Sequence, residues 1–404
     1  MYTKVQAKNT AKKEILKYRD SNAHVNDLSR ITKYQNDKSR SQMISFPTRL
    51  SDIYQRLKAI DPERYSHTRN YVDGAVTYLS PYISRGVIST KIVFNYLLEE
   101  NYPFETIEKY VQELAWRDYW QQVWIHKKSE INTDLKSQQQ EVQHYEIPTA
   151  ILTKSTSIEA IDSAIKALED VGYMHNHMRM YAAAVICNVG KSHWLTPSRW
   201  MYYHLLDGDW ASNALSWQWV AGSNASKKYY ANQANINKFF HTNQRNTFLD
   251  CDYDVLVNRP CPTALVPSTF PLLKTELPVF QKMVITPKEP ILIYNYYNLD
   301  PNWRHEGDYN RVLLLEPKIF KQYPIAPKNI QFMQALGVNI KNLQVYVGSF
   351  EALSKSYPNQ EIIYKEHPLN VHYRGTEDAR DWMFDVQDYF TSFFAYWKKC
   401  KKHL

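Results

Sequence analysis

The sequence predicts a mainly α-helical domain followed by a smaller α/β domain with a parallel sheet. Three observations predict it. Glycine is scarce, 10 of 404 residues, which leaves few sites for the tight turns of a hairpin-rich β protein. From Ser51 to Phe240, apolar and aromatic residues recur at the i, i+3, i+4, i+7 spacing of amphipathic helices. Beyond a Pro-rich stretch, short β-type runs alternate with a helical one, as in strands joined by helical crossovers.

Taken in order, residues 1–45 are polar and dotted with Lys and Arg, and predict a mobile arm. Residues 46–245 predict the helical domain, with the clearest periodicity in Phe94 to His126, Ile158 to Leu168 and Tyr173 to Val189. Residues 246–288 contain NRPCPTALVPSTFPLL and read as an extended connector. Residues 289–404 predict the Rossmann-like α/β domain. Its strands are the runs from Ile291, Arg311, Leu343 and Glu361, with a helix from Asn329 to Leu336 and a closing helix from Tyr389 to Cys400.

Composition narrows the function. The net charge of +8, from 49 basic and 41 acidic side chains, is compatible with a polyanionic partner but common among soluble proteins. Aromatic residues are more telling: Trp116, Trp120, Trp124, Trp194, Trp200, Trp210, Trp217 and Trp219 crowd one middle stretch. Indoles there serve packing, base stacking or electron transfer. The four cysteines form no C-x-x-C pair, which argues against a disulfide framework or a metal site and for free thiols in a reducing cytosol. No apolar run suits a signal peptide or a membrane span.

Three segments could carry chemistry. In VQELAWRDYWQQVW, Glu113, Trp116, Arg117, Trp120 and Trp124 share a helix face. Taken alone they read first as a core stripe with a Glu113–Arg117 ion pair; the functional alternative is gripping the polar edge of a ring and covering its face. In GYMHNHMRMYAAAVICNVG, Asn176, Met180, Ala183 and Cys187 share a face, small residues permit close approach, and Arg179 offers a fork of donors. The alternative is plain helix packing. In LLDGDWASNALSWQWVAGSNASKKYY, Asp207 and Asp209 flank one glycine, an arrangement suited to capping a helix. That segment holds no His and no third carboxylate to make a metal site.

Together these segments resemble the FAD-binding domain of the DNA photolyase/cryptochrome family. The pattern E-L-x-W-R-x-[FY] appears as Glu113 to Tyr119. G-[WY]-M-H-N-R-x-R-M appears as Gly172 to Met180, with His177 replacing the first Arg. D-G-D-x-A-x-N…W-Q-W-x-A appears as Asp207 to Ala221. Upstream, Tyr65 and Arg69 match Y-x-x-x-R, and Val76 to Ser80 match T-S-x-L-S. The resemblance spans residues 50–240.

The resemblance implies FAD folded into a U inside the helical domain. Tyr65, Thr77, Leu79 and Ser80 would then meet the pyrophosphate and ribityl chain. Tyr110 and Glu113 would line the cofactor and lesion pocket, and Asn176 would lie near the adenine. Arg179 would pair with Asp207 beside the isoalloxazine, and Asp209 would bond the ring edge. Asn213 matches the residue facing flavin N5. An amide there cannot donate a proton near neutral pH, which favours the anionic reduced flavin used in repair. Trp217 and Trp194 match the electron relay, with Tyr145 as a substitute third member. Glu113, Trp116, Met180 and Trp219 match residues receiving a flipped-out pyrimidine dimer, with stacking worth roughly 1–3 kcal/mol per base. Arg69, Lys127, Lys128, Lys227 and Lys228 would meet DNA phosphates.

The resemblance therefore implies a monomeric, cytoplasmic photo-lyase acting on dimer-containing DNA. The alternatives are a cryptochrome-like photoreceptor and a helical binding module with a decayed flavin site. Departures are visible. The α/β segment follows the flavin domain, where the family places it first, which points to a rearranged domain order. Its first strand lacks the family's basic residues, which argues against an antenna chromophore. Val76 removes one hydroxyl, and YYANQANINKF replaces the segment usual after W-Q-W.

Overall fold

The computed structural model describes residues 44–279 and 282–404. The predicted arm at 1–45 lies outside them apart from Ile44 and Ser45.

The helical region comprises α1 (Leu50–Lys58), α2 (Pro62–Thr68), α3 (Ser80–Ser84), α4 (Thr90–Glu99) and α5 (Phe104–Lys127). After a two-residue strand β1 (Ile147–Pro148) come α6 (Thr149–Leu152), α7 (Glu159–Val171), α8 (Asn176–Ala184), α9 (Leu195–His204), α10 (Trp210–Ala221), α11 (Gln233–Phe240) and α12 (Tyr253–Asn258). Local chemistry sets several boundaries. The Asp61 carboxylate accepts from Arg64 N–H with Pro62 at the first helical position. Gly172 ends α7 at φ +82°, where a Cβ would stand 2.6 Å from Leu206.

The apolar stripe from Phe94 to His126 is two helices rather than one. Asn101 takes φ +58° and Pro103 starts the next helix, because a proline excludes α geometry from the residue before it. The stripe from Tyr173 begins as a helix only at Asn176. Its last turn widens to π geometry over Val185–Val189.

The predicted extended connector is interrupted by α12 near its start; beyond that helix it is largely without regular structure among the described residues, and its strand β2 (Ser268–Thr269) pairs antiparallel with β1. The α/β region then holds β3 (Ile291–Tyr294), β4 (Asn310–Leu315), α13 (Pro317–Gln322), α14 (Pro327–Gly337), β5 (Gln344–Val347), α15 (Phe350–Ser356), β6 (Ile362–Lys365), β7 (Thr376–Asp378) and α16 (Phe393–Cys400). The five strands are parallel, in the order β5-β4-β3-β6-β7. The four predicted strands are present. The fifth, β7, is three polar residues at a sheet edge, too short for an alternating pattern to announce it. The closing helix starts at Phe393, where Ser392 caps it, rather than at Tyr389.

Side-chain alternation splits the sheet between two cores. Leu292, Tyr294, Leu313, Leu315 and Ile363 join the core shared with the helices. Ile291, Ile293, Val312, Leu314 and Ile362 pack with Phe350 and Leu353 of α15 on the other face. The helical and α/β regions interlock. Tyr202 and Tyr297 hydroxyls bond at 2.9 Å, Ala326 N–H donates to the Tyr203 carbonyl, and fully buried Arg85 lies 3.4 Å from the centroid of Tyr296.

Candidate functional site

Helix α5 carries the first group of predicted residues, but it does not hold the expected Glu113–Arg117 pair. Glu113 is half-buried and pairs with Arg69 at 3.5 Å and with Lys109 at 3.1 Å. Arg117 turns the other way, 3.5 Å from Asp209. A buried carboxylate attracts a guanidinium more strongly than a half-exposed one, because less water competes for it. Trp120 and Trp124 are buried. Trp116 is half-buried, and the ring of Phe393 lies flat on it, 3.7 Å between centroids and 9° between planes.

Above α5, Tyr65 meets Tyr110 edge-on at 4.7 Å. Tyr110 O–H donates to Thr77 Oγ1 at 3.1 Å, which leaves the Thr77 proton free for another acceptor. Burial, with the Glu113 carboxylate adding to it, holds the Tyr65 phenol well above its ordinary value. Tyr65 nevertheless keeps some accessible surface. Leu79 is buried, and Ser80 opens α3.

The second group centres on α8 and the Asp207–Asp209 turn. Arg179 Nη2 donates to both oxygens of buried Asp207, at 3.1 and 2.9 Å, and Nε donates to the Met174 carbonyl. Asp209 caps α10: Oδ1 accepts from Ser212 N–H at 2.7 Å and Oδ2 from Gln121 Nε2 at 2.6 Å. One turn on, Asn213 Nδ2 donates to the Ser198 carbonyl at 2.8 Å. A carbonyl only accepts, so this contact fixes the amide orientation and leaves Asn213 Oδ1 available as an acceptor. The Ser212 hydroxyl is buried without a protein partner. Asn176 is exposed and Met180 half-buried.

Residues 110–249 match the family model described as the FAD binding domain of DNA photolyase. These residues form a photolyase-type FAD binding domain. The region is 27% identical over 146 residues to the deoxyribodipyrimidine photo-lyase of Alkalihalophilus pseudofirmus, covering 35% of this chain and 30% of that one. The enzyme of the same name from Streptomyces griseus is 30% identical over 150 residues, 37% of this chain and 32% of that one. Among solved structures, a Synechocystis cryptochrome aligns at 20% identity and a TM-score of 0.43, covering 49% of this chain and 44% of that one. The chain spans about a third of the length of these curated relatives.

The residues present fit the family's FAD. The free Thr77 proton suits a phosphate oxygen, the available Asn213 carbonyl suits a ring N–H, and the orphaned Ser212 hydroxyl needs a partner. Among the described residues no three His, Cys, Asp or Glu gather as a metal site requires, and no helix is long and apolar enough to cross a membrane.

Of the relay candidates, Trp194 and Trp217 are buried in the packed pair α9–α10, and Trp194 Nε1 donates to Asp134 at 2.7 Å. Tyr145 is 59% exposed. Its ring lies 5.0 Å from His193, which lies 5.7 Å from Trp194. Trp219 keeps 37% of its surface and lies 5.7 Å from Tyr229. Of the lysines proposed for phosphates, Lys127 pairs with Glu130 and Lys228 with Glu141, while Lys128 and Lys227 stand exposed.

Sequence reasoning missed Gln121, Arg380 and Phe393. Gln121 lies one helical turn beyond Arg117, so periodicity alone places it on that face. Arg380 and Phe393 lie more than 250 residues from their α5 partners, and no local pattern reports such a contact.

Proposed function

We propose that this chain is a light-driven, FAD-dependent photo-lyase for pyrimidine dimers in DNA. When bound, FAD in its reduced, light-excited state supplies an electron that opens the dimer and recovers it afterwards. The protein's part is placement, exclusion of water and electrostatics. The observation that carries the reading is Asn213, an amide pinned through its nitrogen by a backbone carbonyl so that its oxygen stays available, one turn from the Asp209 cap.

In this reading Tyr65, Thr77, Leu79 and Ser80 hold the phosphate and ribityl portion, and Tyr110 and Glu113 line the pocket. Asn176 stands by the adenine. The Arg179–Asp207 pair and Asp209 border the ring edge. Glu113, Met180 and the exposed face of Trp219 receive the flipped-out dimer, and Trp116 offers the face that Phe393 leaves open. Lys128 and Lys227 contact phosphates first, because they have no intramolecular anion to give up. Arg69 adds its charge only by sharing it with Glu113. Trp217, Trp194 and the exposed Tyr145 form the route by which electrons reach the site from solvent. The four free cysteines suit a reducing cytosol, and the protein acts as a monomer.

The test is repair of dimer-containing DNA by reduced, FAD-loaded protein under blue light, with a dark control. Absence of repair by a fully loaded sample rejects the assignment. One observation favours a second reading, a cryptochrome-like photoreceptor: Phe393 already occupies one face of Trp116. Glu113→Gln separates the two. A photo-lyase loses much of its repair, whereas a photoreceptor keeps its photoreduction and has no repair to lose.

A further inference from the structure

Asp209 is held by a donor that is itself held by the α/β region. Gln121 is 1% exposed and occupied at both ends of its amide. Its Nε2 donates to Asp209 Oδ2 at 2.6 Å, and its Oε1 accepts from Arg380 Nη1 at 2.6 Å. A guanidinium cannot accept a hydrogen bond, so Arg380 dictates which end of the amide faces Asp209. Arg380 is anchored in turn: Nε and Nη2 grip both oxygens of Glu366 at 2.7 and 3.0 Å. Its charge is therefore neutralised locally, and what passes to Asp209 is chiefly the orientation of one N–H. Arg117, at 3.5 Å, is the more distant donor. The chain of contacts runs Glu366, Arg380, Gln121, Asp209.

We propose that Gln121, oriented by Arg380, is a positioning residue that sets how much negative charge Asp209 presents to the flavin ring, and thereby the reduction potential of bound FAD. The inference rests on the reading that places Asp209 at the ring edge. Reduction adds electron density to the ring. A buried carboxylate beside it opposes that addition in proportion to the charge its own donors leave unshared. A correctly turned amide draws off part of that charge and makes reduction easier. Without Arg380 the amide is free to turn its oxygen toward Asp209, which repels. The α/β region would thus tune the flavin from a distance, through a side chain that touches no cofactor.

The experiment is a spectroelectrochemical titration of FAD-loaded, full-length protein at pH 8, for the wild type, Gln121→Leu, Arg380→Gln and Arg380→Lys. A cavity of about 80 Å³ borders Gln121 and gives the leucine room. Gln121→Leu is expected to lower the reduced-to-oxidised ratio at fixed potential about tenfold, roughly 30 mV for a two-electron couple. Arg380→Gln shifts it the same way by less, and Arg380→Lys stays nearest the wild type. Unchanged or raised potentials in FAD-loaded Gln121→Leu overturn the inference while leaving the flavin reading intact. If that variant fails to fold or to hold FAD, Arg380→Gln decides by the same sign. Failure of the wild type to hold FAD removes the reading beneath it.

Discussion

Replacing Phe393 with alanine tests whether α16 is an integral wall of the site or a detachable cover. The Phe393 ring is 2% exposed and lies flat on Trp116 at 3.7 Å. It also meets Tyr119 edge-on at 5.8 Å and stacks with Trp397 at 6.3 Å. Truncating so buried a phenylalanine costs about 3–5 kcal/mol, and roughly 0.5–1.5 kcal/mol of that is the aromatic geometry. Alanine's better helix propensity returns only about 0.5 kcal/mol. The remaining anchors are Tyr396, Trp397 and Cys400, all buried, and the Tyr119 O–H bond to the Phe390 carbonyl at 3.1 Å. They keep the helix in place, so the loss appears as reduced global stability rather than a floating tail. The exposed Lys401–Glu108 pair adds about 0–1 kcal/mol. The expected net loss is about 3 kcal/mol, a large share of a typical 5–15 kcal/mol total. Urea denaturation followed by tryptophan fluorescence and circular dichroism measures it. A loss below about 1 kcal/mol with an unchanged denaturant slope refutes the argument, because a helix so weakly attached would be a removable lid.

Three further predictions follow from named groups. Burial raises the Asp118 carboxyl to about 6, although it accepts from Thr90 and Met383. The folded protein therefore holds more protons than the unfolded chain between about pH 4 and 6, and Asp118 makes stability fall as pH rises through that window. Relative to Asp118→Asn, the wild type should lose up to about 3 kcal/mol between pH 4 and 7, read from paired denaturation curves, and a pH-independent difference contradicts this. Arg179→Gln strips the partner from buried Asp207 and should cost about 3–5 kcal/mol, together with loss of bound FAD on gel filtration. Retention of both stability and colour contradicts the assigned role. Tyr145→Phe should slow photoreduction of the oxidised protein by an external thiol without altering dark stability. An unchanged rate removes Tyr145 from the route.

What could be read without the structure follows from the range over which each signal acts. Most of the set proposed to face the flavin could be picked out because those members lie close together within α5, α8, the Asp207–Asn213 turn and α10. Helical periodicity fixes which of them share a face, and an aspartate before a helix announces its cap. The parallel sheet was legible in its buried strands, β3 and β4, whose apolar runs exceed what a surface strand tolerates. It was illegible at β7, where Thr376–Asp378 carries no pattern.

By itself, then, the sequence determined most of the helices though not their ends, the Asp209 cap, the clustering of indoles and the order of the two regions. These depend on residues within a few turns of one another, where backbone geometry alone decides proximity. Only the tertiary structure decided that Arg117 serves Asp209 rather than Glu113, that Arg380 turns Gln121, and that Phe393 lies on Trp116. Each is a choice among several possible partners. It is settled by which charge is most deeply buried and which ring face is left uncovered once the chain has closed, and neither quantity exists in an unfolded chain.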